Sequence, residues 1–504
     1  MSGPRLPVLD AAIILIGIAL QRLPFLGNPH LNIDEQFYLL TGTRMLHGAL
    51  PYIDIWDRKP IGLFLIYAFA GLFEDGIWAY QLLALAALGA TGLLLYRMAR
   101  RYADRPSAIV AALCYPAILH MMQGAGGQSP IFYNLTMTLA ALLVMQVMTG
   151  EWAGSRKGLV WRGVWVMLLV GVSMQVKYNA LFEGIFFGCA LLWASWRRAG
   201  LAFTVRAGLL WIAVALLPTA LAWLFYAVQG ASDEFLFANF LSIFLRHPFA
   251  DSGAEGRLIR SLKMIGLPIG IGLLSHYLGR RKGAMPWGGE LRFIGAWTIA
   301  GFVAYLAFPP YFMHYAMPLV VPALLIFASA GRVWLLLRIA LVGYAVVVGI
   351  EDGQEEATFQ TTDSSYARID TALRDSRNCP FIYSGPSMYY QTGGHCLPTR
   401  YPFPYHINMI RERGAIGIDS DAELARILSR RPDFILMHWP PFDDMHPNSQ
   451  HLLLTSLKRD YRKVFSGVDP HYAMELYRLK PGVQPLPNIV VPAVPGRVGR
   501  EPLH

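Results

Sequence analysis

Residues 32–60 read NIDEQFYLLTGTRMLHGALPYIDIWDRKP. This stretch follows an apolar run at 8–25 and precedes a second apolar run, IGLFLIYAFAGLF, at 61–73. The first run is long enough to enter a membrane, whereas the second is too short to span one comfortably and is expected to lie at the interface. The sequence therefore places a group of acidic and basic side chains just outside a bilayer.

The composition is that of a membrane protein. The chain has 504 residues, of which 55% are hydrophobic and only 15% are charged, whereas soluble domains carry about 25% charged residues. Roughly eleven apolar runs have the length of a transmembrane helix. The first run has one early basic residue, Arg5, and lacks a small-residue cleavage site, so it is interpreted as a retained helix. The predicted fold class is an α-helical polytopic membrane protein of about 11 transmembrane helices with a C-terminal soluble α/β domain.

The positive charge is unevenly distributed. The net charge is +10, but residues 351–504 hold 17 Lys/Arg against 18 Asp/Glu, so residues 1–350 carry the excess with 26 against 15. Basic clusters beside apolar runs mark cytoplasmic loops. A nucleic-acid-binding protein would show a basic stripe on a soluble domain, and the sequence has none, so nucleic acid is not an expected partner.

The basic clusters predict the topology. The loops assigned to the cytoplasmic side are 96–105, 155–162, 196–200 and 279–283. The alternation that follows puts the polar loops on the opposite, outer face: 28–60, 123–130, 176–179, 230–240 and 309–315. The expected localisation is a multi-pass protein of the bacterial inner (plasma) membrane, with its active site and C-terminal domain on the periplasmic face.

Two domains are predicted. Residues 1–350 form a transmembrane domain with an outer-face loop at 28–76, and residues 351–504 form a soluble extracytoplasmic α/β domain with an extended or disordered end. In the second domain CPFIYSG, PDFILMHW and AMELYRL are expected to be strands. SDAELARILSRR is expected to be an amphipathic helix capped by Ser420 or Asp421.

The chain has four cysteines. Cys114 and Cys189 lie in apolar runs and are expected to be small core residues. The spacing of Cys379 and Cys396 fits no zinc pattern. If the tail lies outside the cytoplasm, these two can form a disulfide; the alternative is two unrelated thiols.

The acidic pair Asp34-Glu35 admits two interpretations. Asn32 can cap a helix, which puts Glu35 at the third helical position in the form of a capping box. Asp34 then lies in the field of the helix N-terminus, which favours its ionised form. An ionised carboxylate at a membrane face can accept a proton from a hydroxyl group or stabilise a developing positive charge. The alternative is that both acids are ordinary residues of a surface helix.

Two lysines and a His-Tyr pair are further candidates. Lys59 precedes Pro60 at the start of the interfacial run, where backbone N–H groups favour a phosphate, or it is a snorkelling lysine. Lys177 lies between two apolar runs, which is costly unless it lines a site or has a partner, although a turn lysine is the alternative. His314 and Tyr315 follow another apolar run, and a lone histidine there is more often structural.

These segments resemble the GT-C membrane glycosyltransferases, and most closely the branch of the protein O-mannosyltransferases and bacterial lipid A aminoarabinose transferases. The resemblance covers roughly residues 8–350. The motifs that carry it are DEQFYLLTGTRMLHGALPY, DRKPIGLFLIYAFAGLF, MQVKYNALF and YFMHYAMPLVVPAL. In that family the first outer loop has an Asp-Glu pair, a Lys-Pro step and then an interfacial helix.

The resemblance implies inverting transfer of a sugar from a polyprenyl-phosphate donor to a glycan, lipid or protein acceptor on the outer face. It implies that Asp34 is the catalytic carboxylate, with Glu35 as its neighbour. Lys59 and Lys177 would bind the donor phosphate. By the same resemblance, His314 and Tyr315 would lie near the groove of the lipid phosphate.

One position departs from the family pattern. Many members carry a second acid in the loop before the fourth helix, whereas this chain has Gln128-Ser129 there. These two residues are therefore candidates for the acceptor side, and acceptor binding or metal use is expected to differ.

A lipid-linked sugar phosphate is already activated, so transfer needs one base and cations on the leaving phosphate. No cofactor is required, and a divalent metal is possible but not indicated. The alternatives are a transporter or flippase, or a non-catalytic binder of lipid-linked sugars. A transporter would place ionisable groups near the bilayer midplane and often shows repeats, whereas here the ionisable groups lie at one face and no repeat is visible.

Overall fold

A computed structural model describes residues 6–152, 154–247, 253–280, 288–307, 310–331, 334–360, 363–467 and 473–493. Helices dominate up to residue 373. The helices of this part are α1 (Val8–Arg22), α2 (Ile33–Met45), α3 (Ile61–Gly71), α4 (Gly76–Ala99), α5 (Arg105–His120), α6 (Ser129–Met148), α7 (Arg156–Val176), α8 (Ala180–Ala199), α9 (Leu201–Val228), α10 (Ser232–Leu236), α11 (Ala254–Arg280), α12 (Gly289–Leu306), α13 (Val320–Ala328), α14 (Leu335–Gln360) and α15 (Asp363–Leu373).

Several of these helices can cross a bilayer. Among the described residues, six stretches are long and apolar enough: Val8–Phe25, Gly76–Ala99, Ser129–Met148, Arg156–Val176, Leu201–Val228 and Ala254–Leu278. The prediction of a helical membrane protein is therefore confirmed. The number of eleven membrane helices stays a prediction, and so do the localisation in a bacterial inner membrane and the assignment of the outer face.

The remaining elements form a small α/β fold. They are β1 (Phe381–Ile382), α16 (Met388–Thr392), α17 (Ser420–Ser429), β2 (Phe434–Trp439), α18 (Pro447–Asp460), β3 (Tyr461–Ser466) and β4 (Ala473–Leu479). The sheet order is β1-β2-β4-β3; β1 and β2 are parallel, and β4 runs antiparallel to both of its neighbours. The predicted C-terminal α/β region is confirmed by this sheet.

The chain divides into two compact units. The first comprises Met1–Leu26, Gln81–Ala222 and Asp251–Gly353, and the second comprises Gly27–Tyr80, Trp223–Ala250 and Gln354–His504. The second unit thus contains the first polar loop, the end of α9 and the α/β region. The predicted domain division at residue 350 stays a prediction.

In the first unit, helices pack side by side around buried polar contacts. Helices α6, α7 and α8 contact one another, and α13 contacts α5, α11 and α12. The fully buried Arg338 illustrates how a cation is accommodated there, since its guanidinium donates to the Phe327 carbonyl at 2.9 Å and to the Ser107 hydroxyl at 2.7 Å. Each buried donor that finds an acceptor avoids a large desolvation cost.

In the second unit, α2 packs closely on α3. A Cβ atom added to Gly42 would come within 2.4 Å of the Ala68 backbone nitrogen, so a glycine is needed where the two helices approach. Helix α3 begins at Ile61 with Pro60 as its N-cap.

The α/β region differs from the expectation in three details. The cap of α17 is Asp419, whose carboxylate accepts the N–H groups of Asp421 and Ala422 at 2.9 and 3.2 Å; the predicted caps were wrong by one or two residues. Strand β3 was not predicted, because YRKVFS puts charged residues on the exposed side of a strand that pairs only with β4. Cys189, expected in the core, is exposed, whereas Cys114 is buried.

The segment around 486–491 is extended and bonded to the α/β region. The Leu486 N–H donates to the Arg430 carbonyl at 2.9 Å, and Leu397 and Val491 pair as an antiparallel bridge. Residues 494–504, the rest of the end that was expected to be extended or disordered, lie outside the described residues.

Candidate active site

Helix α2 presents the acidic pair at its N-terminus. Asn32 is in the extended conformation and its side-chain oxygen accepts the Asp34 N–H at 2.9 Å, which is the N-cap that the sequence predicts. The Asp34 side chain is partly exposed and Glu35 is fully buried. Of the two carboxylates, Asp34 is therefore the one that can meet a substrate.

Tyr67 of α3 lies close enough to the N-terminus of α2 to interact electrostatically with the acidic pair. Burial raises the pKa of the Tyr67 phenol well above its usual range, and the carboxylates of Glu35 and Asp34 raise it further. The phenol therefore stays protonated and can act as a donor toward the acidic pair. The apolar helix α3 thus contributes one polar group, the Tyr67 hydroxyl, near Asp34 and Glu35.

The turn before α3 holds Lys59. The Asp57 carboxylate accepts the backbone N–H groups of Arg58 and Lys59, the latter at 3.1 Å. The Tyr52 hydroxyl donates to the Lys59 carbonyl at 2.8 Å. These bonds fix the backbone of Lys59, so its side chain extends from a defined position.

The ammonium group of Lys59 lies above α2. Its nitrogen is 5.5 Å from the centroid of the Tyr38 ring and 3.9 Å from the Asp57 carboxylate. Residues four apart lie on the same face of a helix, so Tyr38 and Asp34 share one face. The structure therefore brings Lys59 over the side of α2 that carries Asp34.

A buried ion cluster adjoins this turn. The Glu412 carboxylate contacts the guanidinium groups of Arg58 and Arg246, each at 2.6 Å. Burial by itself would raise the pKa of Glu412, but the two cations outweigh it and lower that pKa to about 2. The Ser242 hydroxyl donates to the Ala415 carbonyl at 2.6 Å and accepts from Arg58 at 2.5 Å. This cluster fixes Arg58, the residue before Lys59.

His406 lies beside the same cluster. Its ring is 4.8 Å from Trp56 in an edge-on arrangement. Burial lowers the pKa of the imidazole to about 4; the carboxylates of Asp57 and Glu412 oppose this shift, and the nearby cations reinforce it. His406 is therefore neutral at pH 7. Sequence analysis missed the cluster and His406, because residues so far apart in the chain leave no local signal.

The first unit brings together three of the predicted residues. Lys177 follows the last residue of α7 and donates its backbone N–H to the Ser173 carbonyl at 3.0 Å. Its ammonium nitrogen lies 4.4 Å from the centroid of the Tyr315 ring, and the His314 ring lies 4.7 Å from that of Tyr315. Lys177 is almost fully buried, so a ring face accounts for part of its stabilisation.

Arg257 is a further cation in this part of the first unit. Its guanidinium donates to the Pro310 carbonyl at 2.8 and 3.0 Å and lies 5.0 Å from the Phe312 ring, which stacks on His314. Sequence analysis missed Arg257, because no motif surrounds it in the sequence.

Gln128 and Ser129 begin α6. Gln128 is the N-cap and Ser129 the first helical residue, and both are buried. Among the described residues, no hydrogen-bond partner is found for the Ser129 hydroxyl. Both positions are polar without being charged, and their role on the acceptor side stays a prediction.

The predicted residues fall in both units. Asp34, Glu35 and Lys59 belong to the second unit, and the first unit contains Lys177, His314, Tyr315, Gln128 and Ser129. In the part of the chain that the structure describes, no group of three His, Cys, Asp or Glu side chains is placed to hold a metal ion. Whether catalysis uses a metal therefore stays untested.

Hydrogen bonds of Arg44 join the end of α2 to a disulfide-closed loop of the second unit. The structure joins Cys379 and Cys396 by a disulfide, with Cα atoms 5.0 Å apart. Next to it, the His395 carbonyl accepts from the guanidinium of the buried Arg44, which also donates to the Pro492 carbonyl. The last turn of α2 is thereby bonded to the disulfide loop and to the extended segment.

Comparison with known proteins supports the fold. Residues 57–224 match the family model of the dolichyl-phosphate-mannose-protein mannosyltransferases. No curated protein has a matching sequence. The solved structure of ArnT from Cupriavidus metallidurans bound to undecaprenyl phosphate superposes with a TM-score of 0.59 at 17% identity, covering 93% of this chain and 97% of that chain.

A more distant match is the apo form of an oligosaccharyltransferase from Archaeoglobus fulgidus, with a TM-score of 0.44 at 12% identity over 73% of this chain and 58% of that one. A similarity of that size supports no conclusion. The match to ArnT extends over nearly all of both chains, and it overlaps the residues 57–224 that the family model matches. The resemblance predicted from the sequence is therefore confirmed: the chain has the fold of the GT-C membrane glycosyltransferases.

Proposed function

We propose that the protein is an inverting glycosyltransferase that moves a sugar from a polyprenyl-phosphate donor to a lipid, glycan or protein acceptor at the outer face of a membrane. The observation that carries the proposal is the partly exposed Asp34 in the first turn of α2, with the Lys59 ammonium group over the same helix face. This pairing offers a base for the acceptor and a cation for the leaving phosphate.

The donor class is supported by the two matches. The family model is named for a dolichyl-phosphate-linked mannose, and the ArnT structure contains undecaprenyl phosphate. Both names contain a phosphate on a long polyprenyl lipid, and the two lipids differ. The shared chemistry is the lipid phosphate, and neither match identifies the sugar for this chain.

Asp34 acts as the general base. The unpaired N–H groups at the N-terminus of α2 favour a negative charge at this position. The Asp34 carboxylate accepts the proton of the acceptor hydroxyl while that oxygen forms a bond to the anomeric carbon. The bond between this carbon and the phosphate oxygen breaks, and the oxygen leaves with the electron pair. Direct attack from the opposite side inverts the anomeric centre.

Lys59 of the second unit and Lys177 of the first unit are each a candidate cation for the departing phosphate. The polyprenyl phosphate gains negative charge as the sugar bond breaks, and a cation accelerates the step only if it binds that charge more tightly than the ground-state diester. Tyr38 and Tyr315 hold the two ammonium groups against ring faces, which restricts their orientations without neutralising them.

Release of polyprenyl phosphate from synthetic polyprenyl-phosphate sugars, measured with purified protein in vesicles, tests the proposal. Asp34→Asn keeps the side-chain shape and removes the base, so turnover should fall at least about a hundredfold. The matched control is Asp375→Asn, which removes an exposed carboxylate of the α/β region and should leave turnover unchanged.

Near-normal turnover in folded Asp34→Asn protein would contradict the assignment of the base. Donor binding without any release by the unaltered protein would favour a non-catalytic binder. The position of Gln128-Ser129, where many GT-C members have an acid, is the specific observation behind that second candidate.

A further inference from the structure

The segment 235–245, FLFANFLSIFL, lies between an acidic pair and a basic residue followed by a histidine. Asp233 and Glu234 precede it, and Arg246 and His247 follow it. Eleven helical residues extend at most about 16 Å, which is half of the roughly 30 Å of a hydrocarbon core. The segment is therefore too short to span a bilayer, and its ends are too polar to enter one.

The distribution of polar and apolar side chains in this segment is the reverse of that in a helix on the surface of a soluble protein. The buried side chains recur at helical spacing and include two polar ones: Phe235, Ala238, Asn239 and Ser242. The exposed side chains are all large and apolar: Leu236, Phe240, Leu241, Ile243, Phe244 and Leu245. Phe244 is 84% exposed. A contiguous apolar surface of this kind marks a contact with a protein or a membrane.

Hydrogen bonds fix which side faces outward. The Ser242 hydroxyl donates to the Ala415 carbonyl and accepts from Arg58, and Arg246 pairs with Glu412. These contacts hold the polar side against Arg58 and residues 412–415 within the second unit. The segment cannot rotate its apolar side inward without breaking them, so the exposure of Phe244 is built into the fold.

The segment continues directly from a lipid-facing helix end. The last residues of α9 are apolar, and Val228 is 81% exposed. The Phe235 ring stacks on Tyr226 at 5.3 Å, and the indole N–H of Trp223 donates to the Ser232 hydroxyl at 2.8 Å. Trp and Tyr are enriched at membrane–water interfaces, so the turn between α9 and the segment has the composition of that boundary.

We propose that the segment 235–245 lies in the boundary between headgroups and acyl chains of the leaflet at which α9 ends. Its exposed apolar side chains are in the acyl chains, and its charged ends are at the headgroups, as in interfacial helices. The partner is the lipid surface itself, because the segment is continuous with the surface of a bilayer-spanning helix. The inference is independent of the proposed transfer reaction.

The test uses a cysteine at position 244, labelled with bimane, in protein with Cys189→Ala reconstituted into vesicles. The vesicles contain phosphatidylcholine with a nitroxide in the upper or the deep part of the acyl chain. The matched control is Ala425→Cys on α17, an exposed position of the α/β region. The label at Phe244→Cys should emit at shorter wavelength than the control and be quenched several-fold more strongly, most by the upper nitroxide.

Ile243→Cys gives a second, independent position in case the first variant does not fold. Water-like emission without lipid quenching at either position would overturn the proposal. So would shielding from lipid nitroxides combined with energy transfer between labelled copies, because that result assigns the surface to a second copy of the chain.

Discussion

Replacing Glu412 with glutamine removes one negative charge from a buried cluster and changes little else. The Glu412 carboxylate lies between the guanidinium groups of Arg58 and Arg246, 2.6 Å from each. In the variant the two guanidinium groups lose the carboxylate that lies between them. We expect the second unit to be destabilised and the turn that carries Lys59 to loosen.

The size of the effect follows from the pKa. A pKa lowered from 4.5 to about 2 corresponds to roughly 3 kcal/mol, because a tenfold change in affinity for the proton is about 1.4 kcal/mol. Breaking a buried ion pair by removal of one partner costs about 3–5 kcal/mol in other proteins. The two figures agree in order of magnitude, so a loss of about 3 kcal/mol at pH 7 is expected.

The depressed pKa of Glu412 also predicts how the stability difference between the two proteins changes with pH. The folded-state pKa of Glu412 is depressed, so its stabilising contribution is fully present above pH 4.5 and is lost as the pH falls from 4.5 toward 2. The thermal midpoint of purified Glu412→Gln protein should lie well below that of the unaltered protein at pH 7. The difference should narrow as the pH falls below 4.5.

The matched control is Asp375→Asn. Asp375 pairs with Arg478 at 4.0 Å and is mostly exposed, and such pairs contribute at most about 1 kcal/mol. If Glu412→Gln shifts the midpoint no more than this control does, the cluster is not a stabilising element, and the reasoning from its burial is wrong.

Four further outcomes are expected. The pKa of buried His406 is depressed, so unaltered protein should lose stability as the pH falls from 6.5 to about 4, and His406→Phe should lose less when midpoints are compared across that range. Lys177→Met should lower turnover more than donor affinity; a lower thermal midpoint with normal turnover would show a structural role. Intact mass should rise by two hydrogen atoms when reductant opens the Cys379–Cys396 bond, and loss of this disulfide should cost about 3 kcal/mol. A cysteine at Ala425 should react with an impermeant thiol reagent from outside intact cells; reaction only after permeabilisation would reverse the orientation.

The sequence predicted those features that depend on neighbours in the chain. Asn32 and Asp34 are two residues apart, so the cap and the acid in its field could be inferred from the motif alone. The amphipathic period predicted α17, although the cap lay at Asp419. The edge strand β3 was missed, because three consecutive residues in it are exposed, and the strand therefore lacks the alternation of buried and exposed side chains that predicts a strand.

Long-range charge pairing could not be predicted. Arg58 and Glu412 lie in unrelated stretches, and nothing near either residue indicates a partner. The same holds for Arg257, whose carbonyl acceptor at Pro310 is 53 residues away. Local patterns indicate which residues can cap, span or pack, whereas the pairing of distant charges requires the three-dimensional fold.

The bonds of Arg44 impose an order on biosynthesis. Arg44 is in the helix that carries Asp34, but its acceptors at His395 and Pro492 lie 351 and 448 residues later. The ribosome therefore completes almost the whole described chain before this buried guanidinium has its acceptors. A nascent chain stalled before residue 492 would lack one of the two carbonyls that accept from this guanidinium, so the end of α2 would not be bonded to the extended segment.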